Sequence, residues 1–173
     1  MIPIQGLNFY ALDCKQKFTA MANSYFGEIK LIGISLGRKT SNLDGQSGID
    51  CGNLWQKFEM ENCFEKIPNK ISDEVLAVYH EYEGDHTKPY SYFIGCRVDH
   101  NTAAPAGMQS LEIPKAEYRK IIAKGIMPGC VANAWINIWS SNIQRAYQAD
   151  FEIYDKRSKD WNDAEVDIYI GVK

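Results

Sequence analysis

QADFEIY (residues 148–154) and AEVDIYIGV (residues 164–172) close the chain, and their reading decides its fold. In both, apolar and polar side chains alternate with the two-residue period of a strand whose faces meet different surroundings. Phe151 and Ile153, then Val166, Ile168, Ile170 and Val172, read onto one face. Asp150, Glu152, Tyr154, Glu165, Asp167 and Tyr169 read onto the other. The first face is core. The second is either a solvated surface or the floor of a site, and carboxylates mixed with tyrosines make both readings worth carrying.

Working upstream, MPGCVANAWINIWSS (residues 127–141) predicts a helix with Val131, Trp135, Ile138 and Trp139 on one stripe and Pro128 in its first turn. Extended segments in QSLEIPKAEYRKIIAKG (residues 109–125) precede it and end at Gly125. The first half has the same order. EIKLIGISLG (residues 28–37) is a strand broken at Gly37, and RKTSNLDGQSGIDCG (residues 38–52) is a polar, glycine-containing loop. A helix carrying Leu54, Trp55 and Phe58 follows, limited by Pro68. VLAVYHEY (residues 75–82) and YSYFIGCRV (residues 90–98) are β-rich runs joined by EGDHTKP, a loop suited to a hairpin.

The fold class expected is therefore α+β: two tandem strand-helix-strand-strand repeats, about residues 28–100 and 105–173, related by a pseudo-twofold. They should form a mainly antiparallel sheet with both helices on one face and a ligand cleft between the halves. Residues 1–27 read as an N-terminal extension, with a short helix near residues 13–23.

Composition removes several classes of function. Of the 173 residues, 45% are hydrophobic and 24% charged, and no run approaches the length of a membrane span. The start of the chain has no secretory pattern, so a cytoplasmic location is expected. A net charge of -3 argues against direct nucleic-acid binding, which is driven by clustered Lys and Arg. Cys14, Cys51, Cys63, Cys96 and Cys130 are odd in number and form no Cys-x-x-Cys pair, so they read as reduced thiols. His80, His86 and His100 lack ligand spacing; neither a metal nor a cofactor is expected. No nucleophile elbow, phosphate loop, dinucleotide fingerprint or zinc-protease motif is present, and no catalytic residue is assigned.

Glu152 is the pivot, because its strand neighbours Phe151 and Ile153 are core. On an open sheet face it would be solvated. In an aromatic cavity it would lose solvation and need a cation, donors or a proton. With Tyr154, Tyr169 and Tyr92 nearby, such a site would attract a delocalised organic cation through charge and ring quadrupole together. Asp167 and Glu165 either add charge to it or pair with surface Lys and Arg. Trp55, Trp135 and Trp139 either pack the core or, Trp139 above all, stack on a flat ligand. Tyr79, Tyr90 and Tyr118 are strand tyrosines without diagnostic spacing.

The order of several pieces resembles the GyrI-like effector-binding domains, which also form the ligand-sensing half of AraC-type and multidrug-sensing regulators. The pieces are GRKTSN (37–42), NLWQKF (53–58), VYHEYEGDHTKPYSYFIGCRV (78–98), IPKAEYRKIIAKG (113–125), AWINIWSS (134–141), DFEIYD (150–155) and VDIYIGVK (166–173). TSN followed by LWQKF looks most like the stand-alone, integron-associated members. The resemblance implies a pocket between the repeats in which an acidic residue receives cationic, lipophilic compounds. By motif that residue is Glu152, with Tyr169, Tyr92 and Trp139 as aromatic contacts. The family's usual proline after IYI is Gly171 here.

Three functions follow as expectations. The first is a stand-alone binding protein for lipophilic, cationic, aromatic small molecules, a sensor or sink with a possible regulator protein as partner and no membrane association. The second is a hydrolase of strained, cyclopropane-containing toxins with Glu152 as general base. The third is a protein-interaction module inhibiting a partner such as a topoisomerase, for which -3 is a feeble charge.

Overall fold

The computed structural model describes residues 23–173. The helix near residues 13–23 falls almost wholly outside the described residues; Asn23 itself begins a strand. Among the described residues, β1 spans Asn23–Phe26, β2 Ile29–Ser35, α1 Gln46–Met60, α2 Cys63–Lys66, β3 Val75–His80 and β4 Ser91–Arg97. β5 spans Gln109–Ile113, β6 Ala116–Gly125, α3 Gly129–Ser140, β7 Arg145–Tyr154 and β8 Ala164–Val172. The strands form one antiparallel sheet in the order β1-β6-β8-β7-β3-β4-β2-β5.

Without its edge strands the sheet reads β6-β8-β7-β3-β4-β2, the same succession of first, third and second strand from either end. The two halves meet where β3 pairs with β7. β1, from the stretch read as an extension, pairs with β6, and β5 completes the opposite edge on β2.

α1 and α3 cover the same face. Ile32, Ile94 and Cys96 pack under Leu54 and Phe58 of α1, and Ile121, Val166, Ile168 and Ile170 under Val131, Trp135 and Ile138 of α3. Tyr79 and Tyr154 touch both groups, which fixes them between the helices. α1 starts at Gln46, inside the stretch read as a loop through Gly52. The buried Asp50 explains the difference: its carboxylate accepts from Thr40 Oγ1 at 2.6 Å, Gln46 Nε2 at 2.9 Å and Arg38 Nη2 at 2.6 Å. These bonds tie the first turns to the preceding loop and offset the helical cost of Gly48 and Gly52. Pro128 stands at the N-cap of α3, one position before its first turn.

The opposite face is also covered, by the sheet itself. Leu31, Leu76, Val78, Phe93, Phe151 and Ile153 share a cluster with Ile113 of one edge strand and Tyr118 of β6 near the other. Phe26 of β1 meets Tyr118, Phe151 and Tyr169 edge-on, with ring centroids 5.6, 5.6 and 4.9 Å away. The sheet therefore curls until its ends approach.

The neighbouring strands β2 and β4 lie close where Gly33 faces Gly95. A Cβ on Gly33 would lie 1.9 Å from the Ile94 carbonyl oxygen, so any side chain must push the strands apart. Gly33→Ala is expected to destabilise the protein by about 1–3 kcal/mol, read from denaturant unfolding; an unchanged midpoint would show that the strands yield freely.

The β7–β8 register corrects one reading of the sequence. Phe151 lies opposite Tyr169, Glu152 opposite Ile168 and Ile153 opposite Asp167. Paired residues share a face, so Ile168 and Ile170 lie with Glu152 beneath α3, while Tyr169 and Asp167 lie with Phe151 on the far side.

Candidate ligand-binding site

Glu152 sits in mid-strand at the junction of the halves, with Ala77 of β3 opposite it. The short Ala77 side chain leaves room above it for the rings that close over the carboxylate. Glu152 is only 1% exposed. Its Oε1 accepts from Tyr79 OH at 2.8 Å and Trp135 Nε1 at 2.6 Å, and its Oε2 accepts from Tyr154 OH at 2.7 Å. Tyr92 adjoins Tyr79, ring centroids 4.9 Å apart, and its hydroxyl accepts from Trp55 Nε1 at 3.0 Å. Trp55 also meets Tyr154 edge-on at 4.7 Å. α1 and α3 thus contribute one tryptophan each, and the strands contribute three tyrosines.

Burial sets the protonation of this group. It pushes the Glu152 carboxyl above its ordinary range, and the donors Trp135, Tyr154 and Tyr79 pull it down without reversing the shift. Burial, with the Glu152 charge adding to it, holds the Tyr79, Tyr92 and Tyr154 phenols well above theirs, so they remain neutral donors. Cys51 on α1 is pushed up by the same two causes. Tyr79→Phe and Tyr154→Phe each remove one donor to the carboxylate, and should raise the Glu152 pKa further at a stability cost of about 0.5–1.5 kcal/mol. Carboxyl-carbon NMR titration checks the shift; an unmoved Glu152 resonance would deny these bonds any influence on it.

The other residues singled out in the sequence lie elsewhere. Trp139 is one turn beyond Trp135, at 6.5 Å between centroids, and stacks on His86 of the β3–β4 loop at 5.6 Å and 8°. Tyr169 stacks on Phe151 on the far face. Asp167 accepts from Lys120 Nζ at 2.8 Å and Arg157 Nη2 at 2.7 Å, and Glu165 joins the same ion-pair group through Arg157 at 2.8 Å. These two carboxylates fit the reading as Lys and Arg partners and are separate from Glu152.

Sequence reasoning left unassigned two of the three donors to Glu152, namely Tyr79 and Trp135, and a second buried centre beside them. Asp150, fully buried, accepts from Arg145 Nη2 at 2.6 Å, Tyr82 OH at 2.7 Å and Gly171 N at 2.8 Å. The last bond exists because residue 171 keeps the N–H that a proline lacks. The Arg145 guanidinium carbon lies 4.3 Å from the centre of the Tyr147 ring and 5.7 Å from those of Tyr82 and Trp135. Trp135 therefore touches both centres. The β3–β7 register, Ala77 against Glu152 and Tyr79 against Asp150, is the signal that would have located them.

Cys51, Cys63, Cys96 and Cys130 are free thiols. Among the described residues no group of His, Cys, Asp and Glu has a metal-holding arrangement, and no helix is long and apolar enough to cross a membrane.

A curled antiparallel sheet with α1 and α3 on one face, and a buried carboxylate ringed by tyrosine and tryptophan between them, define an α+β domain with an aromatic-lined acidic centre. The model of the family described as integron-associated effector binding protein matches residues 25–172, and the chain belongs to that family, within the GyrI-like group. It is similar to an integron cassette protein of Vibrio cholerae, VCH_CASS2, with a TM-score of 0.68 and 28% identity over 90% of this chain and 97% of that one. SAV2435, whose structure is bound to tetraphenylphosphonium, shares the fold at a TM-score of 0.67 with 19% identity, covering 88% of this chain and 93% of that one. A putative transcriptional regulator protein of Bacillus subtilis strain 168, YobU, is 23% identical over 124 residues, 69% of this chain and 78% of its own length.

Proposed function

We propose that this chain binds a lipophilic, cationic, aromatic small molecule at Glu152 and serves as a sensor or sink in a transcriptional or drug response. One observation carries the reading: Glu152 is buried among aromatic rings and, unlike Asp150, has no basic side chain paired with it among the described residues. A lone buried carboxylate is costly, and a delocalised cation meets both its charge and the ring faces around it. The tetraphenylphosphonium held by SAV2435 is a compound of this kind. In this reading residues 28–173 are the binding unit, and the ligand lies in a cleft between the repeats. Tyr92, Tyr154, Tyr79 and Trp135 surround the cation, and Trp139 stands at the margin. A regulator protein would be the partner that reads out occupancy.

Thermal unfolding with tetraphenylphosphonium and with the neutral triphenylphosphine oxide tests it. Ligand at about a hundred times its dissociation constant contributes roughly 2.7 kcal/mol, raising the midpoint by about 5–10 °C. Equal shifts with the neutral compound would remove the cation from the proposal.

A further inference from the structure

Resting on the assignment of the ligand's cation to Glu152, we propose that Arg145 forms a second subsite, which takes a neutral oxygen acceptor of the same ligand, such as a carbonyl or ether. Arg145 is 5% exposed, and only its Nη2 is hydrogen-bonded; Nε and Nη1 are buried without a partner. Buried polar groups are almost always paired, and two nitrogens of one guanidinium left without a partner are an unmet demand for an acceptor. Their place joins the two sites, since the Trp135 ring beside the guanidinium is the one whose Nε1 holds Glu152.

Charge selects the kind of acceptor. The Arg145 cation is already neutralised by Asp150 at 2.6 Å, so an anionic group would be left as a buried excess charge, whereas a carbonyl or ether oxygen satisfies the N–H groups without one. The backbone beside the guanidinium is strained. Tyr147, the half-buried ring nearest the guanidinium, has φ 52° and stands where the β7–β8 register shifts between Arg145 and Asp150. An aromatic residue in the left-handed region is strained and persists where the surroundings impose it, a state common at ligand clamps. Tyr147 is the cover that swings aside, and its ring is what the acceptor replaces.

The test uses the full chain and three probes that share a triphenylphosphonium cation. One phenyl ring carries an acetyl group, the isosteric isopropenyl group or a carboxylate, each at the para and the meta position. Calorimetric titration should show the wild type preferring acetyl to isopropenyl on the order of tenfold in at least one position, with the carboxylate weaker than acetyl. In Arg145→Lys, which keeps the charge beside Asp150 but removes Nε–H and Nη1–H, the ratio of acetyl to isopropenyl affinity should fall to near one, whatever the change common to both probes. Equal affinity of the wild type for acetyl and isopropenyl overturns the subsite and leaves the Glu152 reading standing. A carboxylate that binds tighter than acetyl overturns the neutral acceptor. Failure of every probe to bind, or binding undiminished in Glu152→Gln, overturns the Glu152 reading and this inference with it.

Discussion

Glu152→Gln is expected to weaken binding of tetraphenylphosphonium by about 2–5 kcal/mol, thirtyfold or more, while leaving the fold intact. Glutamine keeps the shape of the side chain and still accepts hydrogen bonds, so the loss isolates the charge. The same substitution changes the response to pH. Because the Glu152 carboxyl is raised in the folded protein, the native state holds its proton more tightly than the unfolded chain does. That contribution to stability is complete below the ordinary carboxylate value of 4.5 and is lost as pH rises through the raised one. In Glu152→Gln this segment of the stability curve should flatten. A bound cation favours the ionised carboxylate, so affinity in the wild type should grow across the same window, with release of a proton. Calorimetry in buffers of different ionisation enthalpy measures that proton; its presence in Glu152→Gln would assign it to another group.

Asp150→Ala should be the most damaging single change. It leaves the Arg145 guanidinium buried without its counter-charge and strands the Tyr82 hydroxyl and the Gly171 N–H together. Removing one partner of a buried pair costs about 3–5 kcal/mol, or roughly 10–15 °C in the unfolding midpoint for a chain of this size. The double change Arg145→Met with Asp150→Asn should recover much of that loss, because no buried charge remains. If Asp150→Ala unfolds within a degree or two of the wild type, the pair is more hydrated than its burial indicates.

The alternation in QADFEIY and AEVDIYIGV located two strands, and the helical stripe through Trp135 and Trp139 located α3. Such signals are local, set by the period of each element. What could not be read was relative. Two alternating strands have two ways of sharing faces, and a one-residue change of register exchanges them; Phe151 pairs with Tyr169, so the acidic positions of β7 and β8 point to opposite sides. Polar alternation left open whether the second face was wet or the floor of a site, whereas helices cover one side of this sheet and its own curl covers the other. Glu152 was legible as a polar residue in a core strand. Its donor Tyr79 lies 73 residues earlier in the chain and becomes a neighbour only through β3–β7 pairing. The start of α1 was hidden similarly, since Asp50 draws on Thr40 and Arg38 from the loop before it.

The meeting of the halves at β3 and β7 bears on the order of folding. Each half can form its own helix and flanking strands from contacts close in sequence, and these should appear early. Neither half has the whole of the proposed binding centre. The first supplies Tyr79, Tyr92 and Trp55 without Glu152, and the second supplies Glu152, Tyr154 and Trp135 without Tyr79 and Tyr92. Desolvation of Glu152 therefore belongs to the step that docks one half on the other. Competence to bind should emerge with that step, making ligand capture during refolding a clock for the last long-range pairing of the chain.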